Sequence, residues 1–242
     1  MRIAVVSDIH ANLIALEAVI ADLETQRPDL VVQGGDLVAG GAGAAAVIDR
    51  VRDLGWPSVY GNTDEMLWAP ERLDAALPSP QFDRMKGVLA TDVIPAIRAA
   101  IGDARLAWLQ SLPAGWSSPD ADLAVVHASP GDAWRSPAAG ALDADLLRTY
   151  QPLGRRRVVF GHIHASFVRR IGEVTIANAG SVSLSYDGDP RAAYALIDAD
   201  RVEIRRVAWD VEAEIARLVA AGDPYADYTA KVLRTGRPAP FP

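Results

Sequence analysis

The chain has 242 residues, 50% of them hydrophobic and 23% charged, with no cysteine. That length suits one large domain or one domain with a sizeable insertion, and the missing cysteine excludes disulfides, thiolate nucleophiles and thiolate metal sites. Its 24 basic residues are outnumbered by 31 acidic ones, for a net charge of −7, which excludes a broad surface for duplex nucleic acid and a polybasic membrane contact.

The opening run from Met1 to Asp8 meets a charge too early for a signal peptide, and no later apolar stretch is long enough to span a bilayer, so a cytoplasmic protein is expected. Ile3 to Val6 reads as a buried strand, and Leu13, Ile14, Ala18, Val19 and Leu23 follow as a helical stripe. Leu30 to Val32 reads as a second strand, Ala44 to Leu54 as a second helix and Ser58 to Tyr60 as a third strand, so parallel βαβ units are expected. Residues 64–119 differ: prolines 70, 78, 80 and 95 punctuate apolar residues at helical spacing, around Phe82 to Leu89 and Ala104 to Leu112. This stretch reads as a helical insertion within a single domain spanning 1–242. It serves either as a lid or as a dimerisation surface, which leaves a homo-oligomer open.

Strand patterns return at Leu123 to Val126, Val158 to Phe160, Phe167 to Ile171, Val174 to Ala177, Ala193 to Ile197 and Val202 to Ala208. Turn residues separate them, notably Gly172 and the run Tyr186 to Pro190. Helix follows from about Val211 to Ala221 and again after Pro224, before a Pro-rich tail. The expected assembly is two sheet halves with helices outside.

The chain holds four histidines, His10, His127, His162 and His164, each placed where a predicted strand runs out into a loop. Asp8 lies after the first strand, Asp36 after the second and Asn62 after the third. Ligands collect at the carboxyl ends of parallel strands in open α/β sheets, so seven donors converge on one edge. Asp8 and His10, two apart on an extended segment, can grip one ion from the same side, and His162 and His164 repeat that spacing. Carboxylate, amide oxygen and imidazole suit Mn, Fe, Zn or Ni better than Cu(I). One carboxylate such as Asp36 can bridge two ions about 3.5–4 Å apart. The glycines before Asp36, Asn62 and His162 let the backbone turn and leave room for ions or phosphate.

In order these blocks are Asp8-Ile9-His10, Gly35-Asp36, Gly61-Asn62, His127 and Gly161-His162-Ile163-His164. The order resembles the calcineurin-like metallophosphoesterase superfamily, whose signature runs D-x-H, G-D, G-N, a lone H and G-H-x-H. Val126 to Asp132 and Asn178 to Val182 extend the likeness to its small bacterial and archaeal phosphodiesterase branch. The resemblance implies an α/β fold, a four-layer α/β/β/α sandwich around two divalent metal ions, with manganese the first expectation. Asp8, His10, Asp36 and His164 would hold one ion, and Asp36, Asn62, His127 and His162 the other. A metal-bridging hydroxide would attack phosphorus in line on a small phosphate ester.

Two departures matter. Many members place His after Gly-Asn, to assist the leaving oxygen, where this chain reads Gly61-Asn62-Thr63-Asp64. General-acid help is worth about 10²–10⁴ in rate, so Asn62 and Thr63 are the catalytic candidates and esters with good leaving groups are favoured. The arginine that protein phosphatases carry after Gly-Asp is absent from Leu37 to Gly41, which argues against that activity. Arg135 is the candidate cation for substrate phosphate, and Trp68, Trp134 and Tyr186 are candidates for stacking a base. Hydrolysis of small or nucleotide-like phosphodiesters is the leading reading. A phosphomonoesterase or dinucleotide polyphosphate hydrolase uses the same site. A noncatalytic scaffold, as in one retromer subunit of the superfamily, is disfavoured by retention of all seven ligand types.

Overall fold

A computed structural model describes residues 1–120, 122–198 and 201–241 of the chain. The first part runs β1 (Ile3–Val6), α1 (Leu13–Gln26), β2 (Leu30–Gln33), α2 (Ala44–Leu54), α3 (Asn62–Glu65), α4 (Arg72–Ala76), α5 (Asp83–Val88) and α6 (Ile94–Gln110). The second runs β3 (Gly115–Ser117), β4 (Leu123–Val126), α7 (Asp143–Tyr150), β5 (Arg157–Phe160), β6 (Phe167–Ile171) and β7 (Val174–Asn178). Strands β8 (Ala192–Ile197) and β9 (Val202–Val207) and helices α8 (Val211–Ala220) and α9 (Ala226–Thr235) follow.

One sheet has the order β2-β1-β8-β9, with β1 parallel to β2 and the other pairs antiparallel. The other has the order β3-β4-β5-β7-β6, parallel at its centre and antiparallel at both edges. Side-chain alternation decides the layers. Ala4 and Val6 of β1 face α1 and α2, whereas Ile3 and Val5 face Val125, Val159 and Ala177 of the opposite sheet. On that sheet's far side, Val158 and Phe160 pack against Leu146 and Tyr150 of α7. The result is the expected α/β/β/α order, in which each fully buried aliphatic side chain contributes roughly 1.5–3 kcal/mol.

Local signals set the ends of α1. The Asn12 side chain accepts from the Ala15 N–H at 3.0 Å, and Arg27 closes the helix in the left-handed region. Two expectations change. Ser58 to Tyr60 is not a strand of any length: Ser58 makes a single parallel bridge to Gln33, because Pro57 has no N–H and α3 begins at Asn62. The stretch 64–119 is helical only as far as Gln110 and then supplies the edge strand β3 against β4. Helix α6 is broken at Gly102, whose φ of 70° lies outside the helical region. Among the described residues no helix is long and apolar enough to cross a membrane.

Candidate metal centre

The loops after β1 and β2 are zipped together by their backbones. Asp8 N–H donates to Gly35 O, His10 N–H to Asp36 O and Ala11 N–H to Leu37 O, at 2.8–3.0 Å. This pairing holds Asp8 (φ 57°), His10 (φ 51°) and Asp36 (φ 58°) in the left-handed region, and His162 (φ 67°) and His164 (φ 53°) share it. The Asp8–His10 and His162–His164 segments are therefore not extended. Each such residue costs of order 1–2 kcal/mol, a strain of the kind that collects at functional sites. Of the three glycines expected to turn the chain, Gly35 has a positive φ (98°). Gly61 and Gly161 instead supply room: a Cβ on Gly61 would overlap the Asp36 carboxylate, and one on Gly161 the Asp8 carboxylate and the Ser7 hydroxyl.

Seven of the expected residues come together. Asp8, His10, Asp36 and His164 are buried and offer donor atoms within 4.8 Å of one another. His164 Nε2 lies 3.0 Å from Asp8 Oδ1 and 3.0 Å from His10 Nε2, and His10 Nε2 lies 3.6 Å from Asp36 Oδ2. The other oxygen of the same carboxylate, Asp36 Oδ1, faces His127 Nε2 at 3.4 Å. Asn62 Oδ1 stands 3.0 Å from His127 Nε2 and 2.8 Å from His162 Nδ1. Asp36 thus has one oxygen toward each half of the cluster.

The chemistry of this donor set is that of a cation site. His10 Nδ1 donates to Ala39 O at 3.0 Å, His164 Nδ1 to Leu184 O at 2.6 Å and His127 Nδ1 to Gly34 O at 3.0 Å, tautomers assigned from these carbonyl partners. Each carbonyl fixes the proton on Nδ1 and leaves a lone pair on Nε2. With all three rings neutral, the His10 and His164 lone pairs point at each other, and that of His127 points at two acceptor oxygens. A positive ion between them reconciles the set.

Electrostatics agree. Burial alone would raise the Asp8 pKa, but His164, His127 and His10 hold its carboxyl well below the usual range, so it is ionised. Burial and the neighbouring His164 lower the His10 pKa, and burial with His127 pushes His162 down to about 4, which keeps both imidazoles neutral and able to ligate. For His127, burial is outweighed by the Asp36 and Asp8 carboxylates, which raise its pKa. A metal arriving there would take the proton's place.

Asp64, to which the sequence pattern assigned no role, braces this arrangement. Its fully buried carboxyl accepts from the N–H groups of Gly61, Asp36 and Leu37 at 2.9–3.0 Å, joining the loops that carry Asn62 and Asp36. Burial and the Asp36 charge push its pKa up to about 7. Ser181 donates to Asp8 O at 2.8 Å, and Asn178 donates to Gly161 O at 2.5 Å, which gives the 178–182 segment a positioning role. Tyr186 stacks on His164 with ring centroids 4.6 Å apart.

The remaining candidates sit differently. Thr63 borders the cleft, but its hydroxyl donates to Val38 O at 3.0 Å and its N–H to Asp36 Oδ1 at 2.9 Å. Arg135 is not brought to the cluster: its guanidinium donates to Ala75 O and borders a separate shallow pocket with Arg72 and Asp132. Trp134 and Tyr186 line the cleft, whereas Trp68 packs edge-on against Tyr60 at 5.7 Å.

Comparison with known proteins finds relatives that match nearly the whole chain. An uncharacterized protein of Methanocaldococcus jannaschii is 29% identical over 238 residues, covering 90% of this chain and 91% of that protein. A metallophosphoesterase from Sphaerobacter thermophilus has a similar structure, with a TM-score of 0.76 at 29% identity, covering 98% of this chain and all of that one. A hypothetical protein from Pyrococcus horikoshii shares the fold with a TM-score of 0.82 at 17% identity, covering 98% and 99% of the two chains. The model of the calcineurin-like phosphoesterase superfamily domain matches residues 1–202, a span that holds all seven clustered donors. The chain belongs to the calcineurin-like phosphoesterase superfamily.

Proposed function

We propose that this protein is a dinuclear-metal phosphoesterase that hydrolyses phosphodiesters of small or nucleotide-like substrates. The observation that carries the reading is the Asp36 carboxylate, with Oδ2 toward His10 and Oδ1 toward His127. Asp8, His10, Asp36 and His164 would hold one ion, and Asp36, Asn62, His127 and His162 the other. Mn²⁺ suits these oxygen and imidazole donors, and Fe, Zn and Ni share them. Two such ions, when bound, supply Lewis acidity at phosphorus and an activated water.

The protein's own part is orientation and exclusion of water. Carbonyls of Gly34, Ala39 and Leu184 aim the imidazoles, Asp64 fixes the spacing of the Asp36 and Asn62 loops, and burial of Asp8, Asp36 and His127 keeps the field unscreened. Asn62 and Thr63 border the cleft where the ester would sit. With the single Thr63 hydroxyl proton committed to Val38 O, no proton is aimed at the leaving oxygen from this position. Good leaving groups are therefore favoured, and the rate should fall steeply as leaving-group pKa rises.

The test is a screen of manganese-reconstituted protein against phosphodiesters, phosphomonoesters and dinucleotide polyphosphates, with Asp36→Asn beside the wild type. The expected result is metal-dependent hydrolysis, fastest on aryl diesters, that falls at least about a hundredfold in Asp36→Asn. Hydrolysis unaffected by that substitution refutes the shared carboxylate, and metal-loaded protein inert toward all three classes refutes the enzyme.

A further inference from the structure

Above the metal ligands the cleft opens into a chamber of about 380 Å³ with an apolar wall. The wall comes from three distant parts of the chain. Leu73, Leu77, Met85 and Leu89 come from the helical stretch after Asn62, Leu184 from the loop after β7, and Phe241 from the tail. Phe241 is held there by Tyr225, stacked at 5.7 Å, and by Tyr228, edge-on at 5.5 Å. Helix α9 and the tail lie beyond residue 202, where the superfamily match ends. Among the described residues, no lysine or arginine lines the chamber. The arginines of the neighbouring shallow pocket are engaged, Arg72 with Asp132 at 3.4 Å and Arg135 with Ala75 O.

This asymmetry selects among phosphate esters. A polyphosphate chain carries anions beyond the one at the metal centre, and here each would lie along hydrocarbon with no lysine or arginine to pair it. An apolar ester group instead gains with every methylene removed from water. We infer that the chamber selects phosphate esters bearing one apolar ester group, alkyl or aromatic, over nucleotides and polyphosphates, with Leu77, Leu89 and Phe241 setting the preference. This rests on the phosphoesterase reading above and narrows its substrate class.

The test is calorimetric binding of methyl-, butyl-, hexyl- and phenylphosphonate, and of a nucleoside diphosphate, to the full-length manganese-loaded protein. Hydrolysis of aryl diesters is measured alongside. Affinity should rise about threefold to fourfold per methylene, phenylphosphonate should exceed methylphosphonate, and the nucleoside diphosphate should bind more weakly than hexylphosphonate. Phe241→Ala and Leu77→Arg should each flatten the alkyl series. Because Phe241 lies in the tail, its variant remains informative if Leu77→Arg does not fold. A flat series in the wild type, or tighter binding of the nucleoside diphosphate, overturns the inference. A flat series with intact hydrolysis overturns the apolar preference alone, and a steep series without any hydrolysis overturns the phosphoesterase reading alone.

Discussion

Replacing Gly61 by alanine adds one methyl group and tests how tightly the metal-site loops are apposed. Gly61 has an extended backbone (φ −109°, ψ −177°) that alanine adopts freely, so any effect is steric. The added Cβ would overlap the Asp36 carboxylate, with Asp36 Cγ at 2.8 Å, and the Asp36 backbone N–H lies against it as well. Neither group is the far end of a flexible side chain, so the loops after β2 and before α3 must separate. Overpacking of this kind costs about 1–3 kcal/mol, which for a chain of this size lowers Tm by about 2–12 °C. Because the displaced carboxylate is the one proposed to be shared by two ions, manganese affinity should fall by about tenfold or more. Gly87→Ala is the control: it lies in α5 with nothing within 4 Å of its added Cβ and should stabilise by about 0.5–1 kcal/mol. The assay is thermal melting with and without metal, together with manganese calorimetry. If Gly61→Ala melts and binds manganese like the wild type, the close packing of Gly61 on Asp36 is wrong.

Other expectations follow from single contacts. The fully buried Tyr150 donates its hydroxyl to Ala128 O at 2.8 Å, next to His127, so Tyr150→Phe should lower stability by about 1–3 kcal/mol in denaturant titrations; an unchanged midpoint contradicts this. For Asp187, burial is outweighed by the Arg206 guanidinium, the Ser166 N–H and the Ser185 hydroxyl, which hold its pKa below the usual value. Its contribution is present above the unfolded pKa of about 3.9 and is lost as pH falls through the lower folded value. The stability gap between wild type and Asp187→Asn should therefore be widest near neutral pH and close in acid, and a gap that stays constant with pH refutes the assignment. Manganese at a hundredfold its Kd should add about 2.7 kcal/mol per site, raising Tm by about 5–10 °C, and chelation should reverse it; a Tm indifferent to chelator argues that nothing cationic belongs there.

The sandwich was legible because β1, β4, β5 and β8 are short, nearly continuous apolar runs, the pattern of strands covered on both faces, as Ile3 and Val5 against Ala4 and Val6 illustrate. Ser58 to Tyr60 misleads because its composition is strand-like, while Pro57 and the start of α3 leave it one bridge long. The three-residue strand β3 is too short for periodicity to register. Six of the clustered donors were readable from residue type and position after strands, and Asn62 from its Gly-Asn pair after a segment that proves one bridge long. The left-handed backbone at Asp8, His10, His162 and His164 was not, because pairing with neighbouring loops imposes it. The carbonyls of Gly34, Ala39 and Leu184 that set the tautomers are main-chain groups and leave no mark in residue identity. Asp64 carried a signal, a carboxylate three residues after Gly61 with its N–H groups to cap, but the spacing alone does not reveal that it also binds Asp36 and Leu37. Arg135 was near in sequence to His127, yet its side chain turns to Ala75.

Anomalous scattering from crystals soaked in manganese tests the shared carboxylate most directly. Two peaks about 3.5–4 Å apart, one on each side of Asp36, are expected, with His10 and His164 at the first and Asn62, His127 and His162 at the second. A single peak, or none, with Asn62, His127 and His162 left without metal, contradicts a two-ion centre.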